Sequence, residues 1–231
     1  MTMFSPISRS ASLIGDPTRT AILVALIDGR ALTAGELARM AGVSPQTASA
    51  HLKKLTEGAL IRSEEQGRHR YYTLAGPEVA RAIEAIAAVS PPPQVRSLRQ
   101  SNHSKALERA RTCYDHLAGE LGVALTEAML RMEYLCEREG GYRVTDRGKI
   151  WLQRFGIRSL PPKANLDEVP HHIDWTVRKY HLAGPLAVVM MRRLFELEWI
   201  EKGLVPRSVR LTDRGRTAFR EEFGLDPTLW A

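Results

Sequence analysis

VSPQTASAHLKKL, residues 43–55, is the stretch on which the reading of this chain turns. Ser44 is placed to cap a helix, its hydroxyl accepting a first-turn N–H, and Pro45 follows at the first helical position, where no N–H is missed. Ala48, Leu52 and Leu55 recur at i, i+4 and i+7 and fall on one face, while Gln46, Ala50 and Lys53 project opposite with Thr47, Ser49 and Lys54 beside them. One face is apolar; the other is amides, hydroxyls and ammoniums. Such a face suits the DNA major groove, where amides read base edges and lysines meet phosphate.

Upstream, DPTRTAILVALID (16–28) reads as a helix capped by Asp16, with Pro17 at its first position, Gly29 at its end and Ile22, Leu23, Leu26 and Ile27 as its core face. Residues 5–14 read as a short first helix. Thr33 caps AGELARMA, with Glu36 completing a capping box, and Gly42 breaks the chain. Two helices joined by AGVS make a helix-turn-helix. Downstream, strands at about 60–64 and 69–74 flank a Gln66–Gly67 turn carrying Arg68, His69 and Arg70, which makes a wing.

These pieces, GDPTRTAILVAL, LTAGELARMAGVSPQTASAHLKKLTEGALI and GRHRYYTL, stand in order over roughly residues 11–75. Together they resemble the ArsR (arsenic-repressor) type of winged helix-turn-helix regulators. The resemblance implies a dimeric DNA-binding repressor whose recognition helix is 44–55. It places DNA contacts at Gln46, Thr47, Ser49 and Ala50 on that helix, and at Arg68 and Arg70 on the wing. Many such relatives carry Arg or His at the position of Ala50, which here leaves only a thymine-methyl contact. Ser44, Lys53 and Lys54 complete the expected DNA-binding set. The metal-binding positions of this type are unfilled: LARMAGV has no cysteine pair, and residues 77–89 offer no Asp or His ligand.

The formal net charge of +7 favours a phosphate-bearing partner without locating it, because residues 1–93 hold 10 basic and 8 acidic residues and 94–231 hold 23 and 18. Two cysteines are too few for a disulfide scaffold, no apolar run approaches the ~20 residues of a membrane span, and the N-terminus lacks a signal-peptide core. The expectation is a cytoplasmic protein with no membrane partner.

PEVARAIEAIAAV (77–89) reads as a helix whose small apolar face can pair with its copy in a second chain. SPPP (90–93) reads as a stiff linker dividing a DNA-binding and dimerisation domain, 1–93, from a C-terminal domain, 94–231, with 94–117 helical. An internal duplication organises that second domain. HLAGELGVAL (116–125) answers HLAGPLAVVM (181–190), and VTDRGKIWLQRFGI (144–157) answers LTDRGRTAFREEFGL (211–225), giving repeats at about 111–157 and 178–225. The expected fold is therefore mainly α with small β wings, an N-terminal winged helix-turn-helix followed by a duplicated, winged-helix-like domain.

All four tryptophans lie in that domain, so a pocket bordered by Tyr114, His116, Trp175 and His181 is expected to take a small-molecule effector. The plainer reading makes those aromatics core and the repeats a longer dimer interface. Cys113 and His116, three apart, suggest a metal site with His171, His172 or His181. Only two of those ligands are close in sequence, however, and the second repeat has no cysteine beside His181, so no metal or cofactor is assigned. A thiol or redox sensor using Cys113, with or without Cys136, is the alternative, and a protein-interaction module that never touches DNA is another. Tyr114, Asp115 and His116 invite a catalytic reading, but no activated nucleophile can be argued beside them, and an enzyme is not expected. The overall expectation is a homodimeric repressor that binds an inverted-repeat operator in double-stranded DNA and is released by an effector.

Overall fold

A computed structural model describes residues 5–91, 97–162 and 164–230. The chain divides into two compact units, Met1–Ala87 and Ala88–Ala231. Pro92 and Pro93 of the expected linker, and residues 94–96, lie outside the described residues.

The first unit runs α1 (Ser5–Ile14), α2 (Pro17–Leu26), β1 (Leu32–Thr33), α3 (Ala34–Ala41), α4 (Pro45–Glu57), β2 (Ile61–Gln66) and β3 (His69–Leu74), and leads into α5 (Pro77–Val89). The starts of α2, α3 and α4 each follow from a side chain that accepts an orphan N–H. Asp16 Oδ1 takes that of Arg19 at 2.9 Å and Ser44 Oγ that of Thr47 at 3.2 Å. Thr33 and Glu36 close a capping box. The left-handed Gly42, at φ 68°, ends α3 and turns the chain into α4. Ile22, Leu23, Leu26 and Leu37 pack with Ala48, Leu52, Leu55 and Ile61 in a core from which solvent is excluded. β1, β3 and β2 form an antiparallel sheet in that order. Pairing of Gln66 with His69 makes the wing a two-residue hairpin around Gly67 and Arg68, one residue later than the sequence suggested, with Gly67 supplying a φ of 62°.

The second unit continues with α6 (Leu98–Arg109), β4 (Arg111–Cys113), β5 (His116–Ala118), α7 (Gly119–Arg131), β6 (Leu135–Arg138), β7 (Gly141–Val144) and α8 (Asp146–Arg154). It then runs β8 (Val169–Ile173), β9 (Tyr180–Leu182), α9 (Gly184–Glu196), β10 (Ile200–Lys202), β11 (Val209–Leu211) and α10 (Asp213–Phe223), and ends in a 3₁₀ turn, Pro227–Trp230. The sequence expectation of helix through 94–117 is corrected here. The helix stops at Arg109, because Arg111–Ala118 pairs with itself as a β-hairpin, Cys113 opposite His116.

The two sequence repeats become matching runs of strand, 13-residue helix, hairpin and capped helix. Thr145 and Thr212 each accept the N–H three residues on, from Gly148 and Gly215, and each donates its hydroxyl to the carbonyl of a glutamate with positive φ, Glu133 or Glu198. The TDRG phrase is thus a helix cap and first turn. Strands cross between the copies. β8, the second copy's counterpart of β4 although it lies ahead of the repeat seen in sequence, joins β7 of the first in the sheet β6-β7-β8-β9, while Arg111 of β4 bridges to Ser208, just ahead of β11 of the second. The packing is reciprocal, and Leu182 of β9 donates its N–H to Thr126 of α7 at 2.9 Å.

Candidate nucleic-acid interface and a buried cysteine-histidine cluster

On α4, Ala48, Leu52 and Leu55 are buried, whereas Gln46, Thr47, Ser49, Ala50, Lys53 and Lys54 are exposed, as is the cap Ser44. Local bonds orient part of this face. Ser49 donates its hydroxyl to the Pro45 carbonyl at 2.9 Å, and the Ser44 and Thr47 hydroxyls share a hydrogen bond of 2.8 Å. Lys53 lies 3.9 Å from Glu57 at the surface. At the wing, Arg68 and Arg70 are exposed, and Arg70 pairs with Glu65. One residue of this region escaped the sequence reading: half-buried His51 sets Nδ1 3.6 Å from the Asp16 carboxylate that caps α2, beyond hydrogen-bond distance.

The second unit converges on a different chemistry. Cys113 and His116 face each other across the β4–β5 hairpin, and His172 and His181 are the corresponding cross-strand pair of β8–β9. Directly opposed residues project from the same side of a hairpin, so each hairpin offers two ligand-type side chains on one face. One ligand atom from each of the four lies within 4.8 Å of every other. His116 Nε2 stands 3.2 Å from His181 Nε2, and Cys113 Sγ 3.8 Å from His172 Nδ1. Cys113, His116 and His181 are buried and His172 is half-buried.

Carboxylates stand behind two of the imidazoles. His116 Nδ1 is 3.3 Å from Asp115, and His181 Nδ1 is 4.0 Å from Asp174. Asp174 is fully buried and is the hub of the loop between β8 and β9. It accepts hydrogen bonds from Arg111 at 2.8 Å, from the Gly119 N–H that opens α7 at 2.7 Å, and from the Thr176 and Val177 N–H groups. Burial alone would raise its pKa, but the Arg111 guanidinium and those hydrogen bonds prevail and hold it at about 2. Burial, reinforced by the neighbouring His116, pushes the His181 pKa well below its usual value.

Of the four residues expected to border an effector pocket, the structure sets two against each other. His116 and His181 meet, but half-buried Trp175 covers the Arg111 guanidinium at 4.8 Å, and Tyr114 occupies the hairpin turn at φ 59°. The other tryptophans pack into or against the core of the second unit. Trp151 stacks on Tyr134 and Phe155 at 4.9 and 4.8 Å, Trp199 meets Phe155 and Phe219 edge-on, and Trp230 is buried. The cavity between α7 and α9, lined by Leu117, Leu125, Leu182 and Met190 among others, is about 20 Å³, room for a water and not for a planar organic molecule. Arg111 and Asp174 carried no signal in the sequence, and His172 only a weak one.

A capped, half-exposed recognition helix followed by a basic wing defines a helix-turn-helix DNA-binding protein. A helix-turn-helix domain family model matches residues 14–64. Over 220 residues, 95% of this chain and 97% of the other, the chain is 39% identical to the uncharacterized HTH-type transcriptional regulator YdfF of Bacillus subtilis. It is 36% identical to the HTH-type transcriptional regulator CmtR of Mycobacterium tuberculosis over 85 residues, 37% of this chain and 71% of CmtR. Among solved structures, the homodimeric winged helix-turn-helix DNA-binding domain Mb0332 of Mycobacterium bovis aligns at 28% identity, covering 38% of this chain and 80% of that one with a TM-score of 0.35. The chain belongs to the HTH-type transcriptional regulators and carries a C-terminal unit beyond its helix-turn-helix. It is a DNA-binding regulator of transcription.

Proposed function

We propose that the chain acts as a cytoplasmic homodimeric repressor of an inverted-repeat operator and that its second unit receives the signal. The carrying observation is the outer face of α4: Gln46, Thr47 and Ser49 are exposed for base contacts, with Lys53, Lys54, Arg68 and Arg70 exposed for phosphate. One recognition helix per chain favours a two-fold assembly, since a palindromic site mirrors protein symmetry. Apolar side chains on α1 and α5 support it: Ile7, Ile86 and Val89 are 65%, 46% and 83% exposed. Among the described residues no helix is long and apolar enough to cross a membrane. The matching runs of strand, helix, hairpin and capped helix support reading the second unit as two winged-helix-like copies. No catalytic role is assigned.

The test is to recover DNA bound to the purified chain, sequence it, and titrate the enriched site by gel shift over a range of salt. An inverted repeat bound by two chains, with affinity falling steeply as salt rises, is the expected result. Absence of any enriched sequence would favour a protein-interaction module.

A further inference from the structure

We infer that Cys113, His116, His172 and His181 form a closed tetrahedral site for a borderline-soft divalent cation of the zinc type. This assignment stands on the cluster in the second unit and is independent of DNA binding by the first.

Three observations carry it. The first is spacing. A tetrahedral ion with metal–nitrogen bonds of about 2.0 Å and a metal–sulfur bond of about 2.3 Å holds nitrogen pairs about 3.3 Å and nitrogen–sulfur pairs about 3.5 Å apart. Two of the six separations are 3.2 Å, between the facing Nε2 atoms, and 3.8 Å, between Cys113 Sγ and His172 Nδ1, and one ligand atom from each residue lies within 4.8 Å of every other.

The second is a conflict among protons that a cation resolves. A carboxylate only accepts, so Asp115 fixes the His116 hydrogen on Nδ1 and leaves Nε2 as a bare lone pair. A hydrogen on His181 Nε2 would satisfy that lone pair but turn a bare Nδ1 toward the Asp174 carboxylate. A hydrogen on Nδ1 sets two Nε2 lone pairs against each other at 3.2 Å. His181 Nδ1 has no hydrogen-bond partner and its residue is fully buried, so water does not relieve the first arrangement. A cation between the Nε2 atoms makes the second arrangement favourable, with both Nδ1–H groups directed at carboxylates, as in carboxylate–histidine–zinc triads.

The third is symmetry. His116 and His181 are equivalent in the two repeats, and their cross-strand partners, Cys113 and His172, are equivalent by register. Two ligands therefore come from each copy. The donor set is one thiolate and three imidazoles, which selects zinc-type ions over calcium or magnesium. Four protein ligands, three of them buried, leave no open coordination position, so the site suits structure or sensing and not hydrolysis. Binding converts the Cys113 thiol to thiolate and releases one proton to solvent.

The experiment uses the full chain, stripped with chelator and titrated with Co²⁺ as a spectroscopic stand-in for Zn²⁺. The expected result is saturation at one ion per chain, with visible ligand-field bands and a near-ultraviolet thiolate-to-metal band, all bleached when Zn²⁺ is added. Cys113→Ser should lose the thiolate band, whereas Cys136→Ser, whose thiol is not among the four, should keep it. Asp115→Asn should bind about tenfold more weakly. Failure of the unaltered chain to bind Co²⁺ saturably overturns the inference. So does a thiolate band that survives in Cys113→Ser or vanishes in Cys136→Ser.

Discussion

His116 and His181 present their Nε2 atoms to each other at 3.2 Å although 65 residues separate them in the chain. They are the same residue of the two HLAG phrases, brought together because each copy packs its strand against the other copy's helix. A ligand held there ties the copies to one another.

Ion binding to the native state alone should therefore raise the stability of the second unit. At free Zn²⁺ a hundredfold above its dissociation constant the gain is about 2.7 kcal/mol. Differential scanning calorimetry should show a melting transition that climbs with Zn²⁺ in the unaltered chain and stays fixed in His172→Ala. A transition that climbs equally in both would place the ion elsewhere.

Arg111 and Asp174 form an ion pair with neither side chain exposed. Arg111→Met strands a buried carboxylate and should cost about 3–5 kcal/mol in urea unfolding. The acid limb follows from the same pair. The folded pKa of Asp174, about 2, lies below its ordinary 3.8, so its stabilisation is complete above about pH 4 and is lost as pH falls toward 2. Arg111→Met should flatten that limb. An unchanged acid limb in the variant would count against the ion pair as its source.

Gly148 and Gly215 occupy equivalent first turns, where an added Cβ would run into the Tyr134 and Trp199 carbonyl oxygens respectively. Backbone cannot yield as a side-chain tip can, so each Gly→Ala change should destabilise by about 2 kcal/mol or more. Gly35→Ala is the contrast. There a Cβ meets only the Arg39 guanidinium at 3.9 Å, and the change should stabilise α3 by roughly 0.5–1 kcal/mol. Thermal melts of the three variants decide the matter, and a tolerated Gly215→Ala would refute the close approach.

Gln46→Ala should relax base preference at one operator position, at a cost of about 1–3 kcal/mol on the preferred sequence. Lys53→Ala should weaken all sequences alike and reduce the salt slope by about one. Equal losses on operator and random DNA for both variants would dissolve the division of labour on α4.

If the second unit is the receiver, Zn²⁺ must shift operator affinity, and operator DNA must shift Zn²⁺ affinity by the same factor. Fluorescence anisotropy with labelled operator, with and without the ion and in Cys113→Ser, measures both. Identical operator affinity in every case would leave the cluster a structural site only.

The sequence by itself determined the first unit almost element by element, because its signals are local. Asp16, Thr33 and Ser44 cap helices through bonds to residues three positions on, and the 3.6-residue spacing of Ala48, Leu52 and Leu55 decides which face of α4 turns to solvent. It also displayed the duplication, since HLAG and TDRG are written twice. What it could not display was the partner of Cys113. That residue and His116 look like neighbours on a helix when read in line, and the second copy seems to lack the cysteine. The equivalent of Cys113 is His172, hidden because the turn between β4 and β5 is two residues whereas eight separate His172 from His181. Only strand pairing sets those residues opposite one another, and only the exchange of strands between copies brings the two pairs face to face. The contact of Trp175 was hidden for the same reason, since its place over Arg111 depends on a buried ion pair spanning 63 residues. Caps and helix faces are properties of a few consecutive residues; a four-ligand cluster is a property of two hairpins that meet only when the core closes.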